Sequence, residues 1–133
     1  MRFRRLCLLL QQEKVIQTQH PVSHLRSLIM EHKDVICSLK EVATKTLPPG
    51  STMFLYGSRA RGDFHDGSDW DLLILLDKQS LDATDYGVAY PFRELGWEIG
   101  EEMNPSLYTK KQWNSWTYLP FYKNVERDKI VIL

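Results

Sequence analysis

Residues 54–77 read FLYGSRARGDFHDGSDWDLLILLD. Apolar strands do not need acidic residues at alternate positions, yet Asp69 and Asp71 stand just ahead of the run Leu72–Leu76. The stretch STMFLYG at 51–57 has the composition of a buried strand ending in glycine. WDLLILLD at 70–77 forms a second strand, and its unbroken apolar run implies burial on both faces. Side chains alternate along a strand, so Asp69 and Asp71 point the same way, roughly 6–7 Å apart, while Trp70 points into packing. Between the strands, SRARG turns away as the start of a helix and DFHDGSD is polar and loop-like.

Two neighbouring carboxylates raise each other's pKa unless positive charge lies between them. A hard divalent cation supplies that charge, and oxygen donors of this kind suit magnesium, which takes one or two carboxylates plus substrate phosphates. Gly57 at the strand end lets backbone approach a ligand closely. Ser58 adds a hydroxyl, and the amides after it face a phosphate if a helix starts there. Arg59 and Arg61 offer forked donors to phosphate oxygens. Taken singly, each element also fits a solvated strand end, an ordinary turn or a helix face. Together they suit the holding of a metal–triphosphate with its α-phosphorus open to attack.

Outward from this centre, Val22–Leu47 carries apolar residues at helical spacing, with Pro21 at the first turn and PPG at 48–50 as the stop. After the second strand, SLDATDYGVAYPFRELG reads as a weaker helix limited by Pro91. WEIGEEMNPSLYT at 97–109 reads as a third strand, KKQWNSW as a short helix, and LPFYKNVERDKIVIL as a helical turn and a terminal apolar run. The alternation of helices and strands predicts an α/β (α+β) layer structure. Residues 1–20 are an N-terminal extension, helical by pattern, and 21–133 form the domain. The apolar core of MRFRRLCLLLQQEK is too short for a secretion signal or a membrane span.

The 133-residue length suits one domain with one core. Seventeen Lys and Arg balance seventeen Asp and Glu, so no global basic field attracts nucleic acid. Cys7 and Cys37 match no metal spacing, which favours a reduced, cytoplasmic chain.

GSRARGDFHDGSDWDLLILL resembles the signature of the DNA polymerase β-like nucleotidyltransferases, in particular their minimal branch: Gly-Ser, about ten residues, then Asp-x-Asp. Residues 57–72 match without a gap, and a looser likeness spans 22–133. The resemblance implies a small mixed β-sheet flanked by helices. It also implies two-metal transfer of a nucleoside monophosphate, AMP from ATP, with pyrophosphate leaving. On that reading Gly57 and Ser58 grip the β- and γ-phosphates, with Arg59 and Arg61 around them, and Asp69 and Asp71 carry two Mg²⁺ ions. The family places a third acidic residue on the next strand. Strand parity makes Glu98 the first choice and Glu102 the second, with Glu101 exposed. A merely solvated acidic edge is the alternative, which leaves a nucleotide-binding or partner-binding module without turnover.

His65 lies on the loop inside the motif, within reach of a nucleotide or simply solvated. The aromatic stretch YTKKQWNSWTYLPFY could stack a base, although packing over the sheet suits it better. The chain has little beyond the core, so acceptor binding falls to a second chain or a self-dimer. The resemblance implies a helical partner of the higher-eukaryote-and-prokaryote nucleotide-binding (HEPN) type, as in toxin–antitoxin pairs. The N-terminal segment or the aromatic C-terminal part would dock it.

Overall fold

The computed structural model describes residues 30–133. These fall into two units divided between Val42 and Ala43. The predicted extension at 1–20 and the helix start at Val22 lie outside the described residues.

Helix α1 spans His32–Thr46. Met30 and Glu31 are not helical, so the expected single helix from Val22 does not run through them. The reason is local: the Asp34 carboxylate accepts from the Glu31 amide at 3.2 Å, and Asp34 and Val35 amides bond back to the Glu31 carbonyl. That is a helix start rather than a helix interior. Cys37 is disulfide-bonded, which corrects the reading of a reduced thiol there.

The larger unit is built on a four-stranded mixed sheet in the order β3-β2-β1-β4. Strand β1 is Thr52–Tyr56 and β2 is Trp70–Leu76. They pair antiparallel, with Tyr56 opposite Asp71. Strand β3, Met103–Thr109, runs parallel to β2, with Asn104 opposite Asp71. The terminal apolar run supplies β4, Ile130–Val131, antiparallel to β1. From Leu72 to Leu76 every side chain of β2 is buried, as its continuous apolar run predicts.

The predicted third strand, 97–109, begins as helix, since residues 97–99 belong to the preceding helix. Residues Ala83–Ala89 form a 3₁₀ segment, opened by an Asp82–Asp85 capping box, and helix α3 follows over Tyr90–Ile99. Pro91 sits in the first turn of α3, where it starts the helix rather than limiting it. Gly100, at φ +73°, ends it in the left-handed conformation. β3 therefore begins only at Met103.

One sheet face carries Leu73 and Leu75, packed with Trp113 and Val125 and with Phe54, Tyr56, Tyr108, Trp116, Phe121 and Tyr122. Helices α4, Lys110–Ser115, and α5, Pro120–Asp128, supply the aromatic cover. Trp113 meets Phe121 edge-on at 5.4 Å and donates its indole N–H to Glu126 at 3.0 Å. Most of the aromatic C-terminal part thus packs over the sheet, as expected, while Tyr118 stays exposed.

Candidate active site

Strand β1 ends at Gly57, whose φ of +74° a side chain would strain. A single helical turn, α2, Ser58–Arg61, follows, and Gly62 closes it in the left-handed conformation. This is the predicted turn-to-helix geometry of SRARG. Gly57 has a second reason to be glycine. A Cβ there would overlap Asp71 Oδ2, so the Asp71 carboxylate lies directly against the Gly57 backbone. The structure therefore brings the Gly-Ser turn and the second acidic residue together.

Asp71 is half-buried on β2, and Asp69 is exposed just before the strand. Burial pushes the Asp71 carboxyl above the usual carboxylate range, and the Asp69 charge pushes it the same way. The Asn104 amide and the Arg61 charge oppose that rise. Asn104 Nδ2 donates to Asp71 Oδ1 at 3.2 Å. Trp70, between the two aspartates, is fully buried on the opposite face, as strand alternation predicts.

Glu98 requires a correction. It lies exposed on α3, not on a strand beside the aspartates, because the helix persists through Ile99. The strand position facing Asp71 belongs to Asn104, an amide. Glu102 is exposed just ahead of β3, and its carbonyl accepts from the Trp70 amide at 2.9 Å. Among the described residues, no group of three or more His, Cys, Asp or Glu side chains is placed to hold a metal ion.

Arg59 also departs from expectation. Only 7% exposed, it does not line an open phosphate site. Its Nε donates to the Ser68 carbonyl at 3.2 Å, and its guanidinium lies 4.5 Å from the Phe64 ring centre and 4.7 Å from that of Trp70. Glu101 stands 3.6 Å from Arg59 and accepts from the Trp70 indole at 3.1 Å. Glu101 is thus part-buried and engaged, not the exposed residue parity suggested. Parity applies to a strand, and residue 101 precedes one. This cluster anchors the loop that delivers Asp69.

Arg61 stays at the surface, paired with Asp63 at 3.2 Å and with Asp128 at the end of α5 at 3.3 Å. His65 is exposed, its amide donating to Ser68 Oγ at 3.0 Å and its Nδ1 lying 2.8 Å from the Asp66 carbonyl.

Three residues that sequence reasoning passed over, Tyr56, Asn104 and Ser106, lie around Asp71. Tyr56, opposite Asp71, shares a side-chain hydrogen bond with Ser106, and burial, then the Asp71 charge, raises its phenol pKa. Asn104 and Ser106 alternate on β3 as Asp71 and Leu73 do on β2. The period-2 pattern could have found both once β3's true start was known.

The donor set fits a hard cation in part. Asp69 and Asp71 supply oxygen ligands whose mutual repulsion a cation would relieve. With Asn104 in the facing position, the described residues offer that pair and not a triad.

The family model for a nucleotidyltransferase domain matches residues 31–131. One solved structure, a crystal structure of a toxin–antitoxin with AMP-PNP, is 15% identical with a TM-score of 0.49, covering 78% of this chain and 73% of its own. No curated protein matches the sequence.

Proposed function

The chain belongs to the nucleotidyltransferase domain family and is a nucleotidyltransferase; from that premise we propose that it moves AMP from ATP onto a hydroxyl of a partner protein. The observation that carries this reading is the Asp71 carboxylate held against the Gly57-Ser58 turn. Backbone that close to a carboxylate lets one cation serve both an acid and a phosphate bound at the turn. Asp69 and Asp71 would hold a magnesium ion, whose charge would stabilise the phosphoryl oxygens.

The protein's own groups do the remaining work by placement. Gly57 and Ser58 seat the phosphates. Arg61, already close enough to influence Asp71, adds positive charge at the rim. Asn104 holds Asp71 in one orientation and favours its ionised form. Arg59 fixes the 63–69 loop and so the position of Asp69.

A second reading rests on Asn104. With an amide where a third carboxylate would stand, the attacking hydroxyl lacks a neighbouring β3 base, which favours a nucleotide-binding module with impaired turnover.

The test is magnesium-dependent ATP binding and AMP transfer, measured with a helical partner protein of the HEPN type and without it. Transfer that fails in Asp69→Asn and in Asp71→Asn supports the transferase. ATP binding that persists with no transfer to any acceptor supports the second reading. Absence of magnesium-dependent nucleotide binding rejects both.

A further inference from the structure

We propose that the exposed face of Tyr86, Tyr90 and Trp97 docks a basic segment of the acceptor protein. The proposal rests on the reading above, in which the acceptor is a protein. The three rings are 61%, 53% and 69% exposed. Aromatic rings left in water together, rather than singly, mark an interaction surface. Tyr90 and Trp97 stand seven residues apart on α3, which places them on one side of that helix. Tyr90 and Trp97 touch edge to face with centres 5.9 Å apart, forming one joined patch.

A groove of about 410 Å³ adjoins Trp97, bordered by Arg93, Glu101, Glu102 and the glycines at 96 and 100. A Cβ at residue 100 would meet nothing within 4 Å, so backbone of a docked chain can come close there.

Charge selects the occupant. Residues 82–102 hold six acidic residues against one basic residue, Arg93. Lys78 engages Asp82 and Asp85, and Arg59 engages Glu101. Glu94 and Glu102 add further acidic groups on the same stretch. An arginine or lysine set among apolar residues complements this surface, stacking its cation on Trp97 and pairing with a rim carboxylate. A nucleic acid backbone would be repelled.

Location ties the face to the site. The Trp70 amide bonds to the Glu102 carbonyl at 2.9 Å, and Trp70 lies between Asp69 and Asp71. Glu102 thus borders the groove at the strand end that also carries Asp69.

The experiment uses a labelled amphipathic peptide of leucine and lysine, and its leucine–glutamate counterpart, in fluorescence anisotropy with the full chain. The wild type should bind the basic peptide at least about tenfold more tightly than the acidic one. Tyr90→Ala with Trp97→Ala should remove about tenfold of that affinity, and Glu94→Lys with Glu102→Lys should reverse the peptide preference. Retained melting temperature and ATP binding in these variants show that fold and nucleotide site are intact. Equal peptide binding by wild type and the double-alanine variant overturns the proposal. So does concentration-dependent self-association that the same variant abolishes, because a second copy would then be the occupant. Asp71→Asn keeps peptide binding while losing transfer, which separates failure of the docking face from failure of the transferase reading.

Discussion

Asp71 Oδ2 occupies the space that a β-carbon on residue 57 would need. The Gly-Ser turn and the strand carboxylate are therefore one steric unit, joined across the β1–β2 pair. Gly57→Ala meets both that overlap and a φ of +74°. We expect a loss of about 1–3 kcal/mol in stability. Nucleotide affinity should fall with it, because the carboxylate must move. Denaturant unfolding and ATP titration check the two effects separately.

Asn104→Asp puts a carboxylate opposite Asp71 and removes the 3.2 Å amide bond. Without divalent ions the variant should melt below wild type, since Asp71 loses a donor and gains a like charge. With magnesium and ATP it should recover more stability than wild type does, and AMP transfer should rise. Melting curves across a magnesium series check this. An identical magnesium response in both proteins would mean that position 104 does not face the cation.

Arg59→Ala empties a guanidinium position between Phe64 and Trp70 and leaves the part-buried Glu101 without that cation. We expect roughly 2–4 kcal/mol of destabilisation. Arg59→Lys should restore only a small part, because the ammonium lacks the flat stacking surface. Proteolysis within 63–69 should quicken in both variants.

The raised pKa of Asp71 has a signed consequence. For a carboxyl whose folded pKa lies above its unfolded value, the stabilising contribution is complete below the unfolded pKa. It is lost as pH rises through the folded pKa. Asp71→Asn should therefore melt higher than wild type at neutral pH. The gap should narrow as pH falls through the upper carboxylate range. Thermal unfolding from pH 7 down to pH 3 checks the sign.

The central motif was legible because it depends on short-range rules. Strand alternation placed Trp70 in the core and Asp71 on the open face, and Gly57 announced a turn. The failures came from competition between segments. Residues 97–100 alternate like a strand, but Pro91 and Gly100 bracket a helix, and the helix carries Glu98 away. Once β3 starts at Met103, register puts Asn104 against Asp71, which no local pattern reveals. Arg59 read as a surface cation because sequence shows charge and not the two rings that enclose it. The apolar spacing from Val22 ran on through residue 31, whereas one side-chain contact, Asp34 to the Glu31 amide, starts the helix afresh there.

The most direct test of the central claim follows the phosphorus. ATP labelled at the α-phosphate, and separately at the γ-phosphate, is incubated with the protein, magnesium and the acceptor. The expected result is α-label on the acceptor, pyrophosphate in solution, and loss of both in Asp71→Asn. Transfer of the γ-label, or pyrophosphate release undiminished in Asp71→Asn, would contradict it.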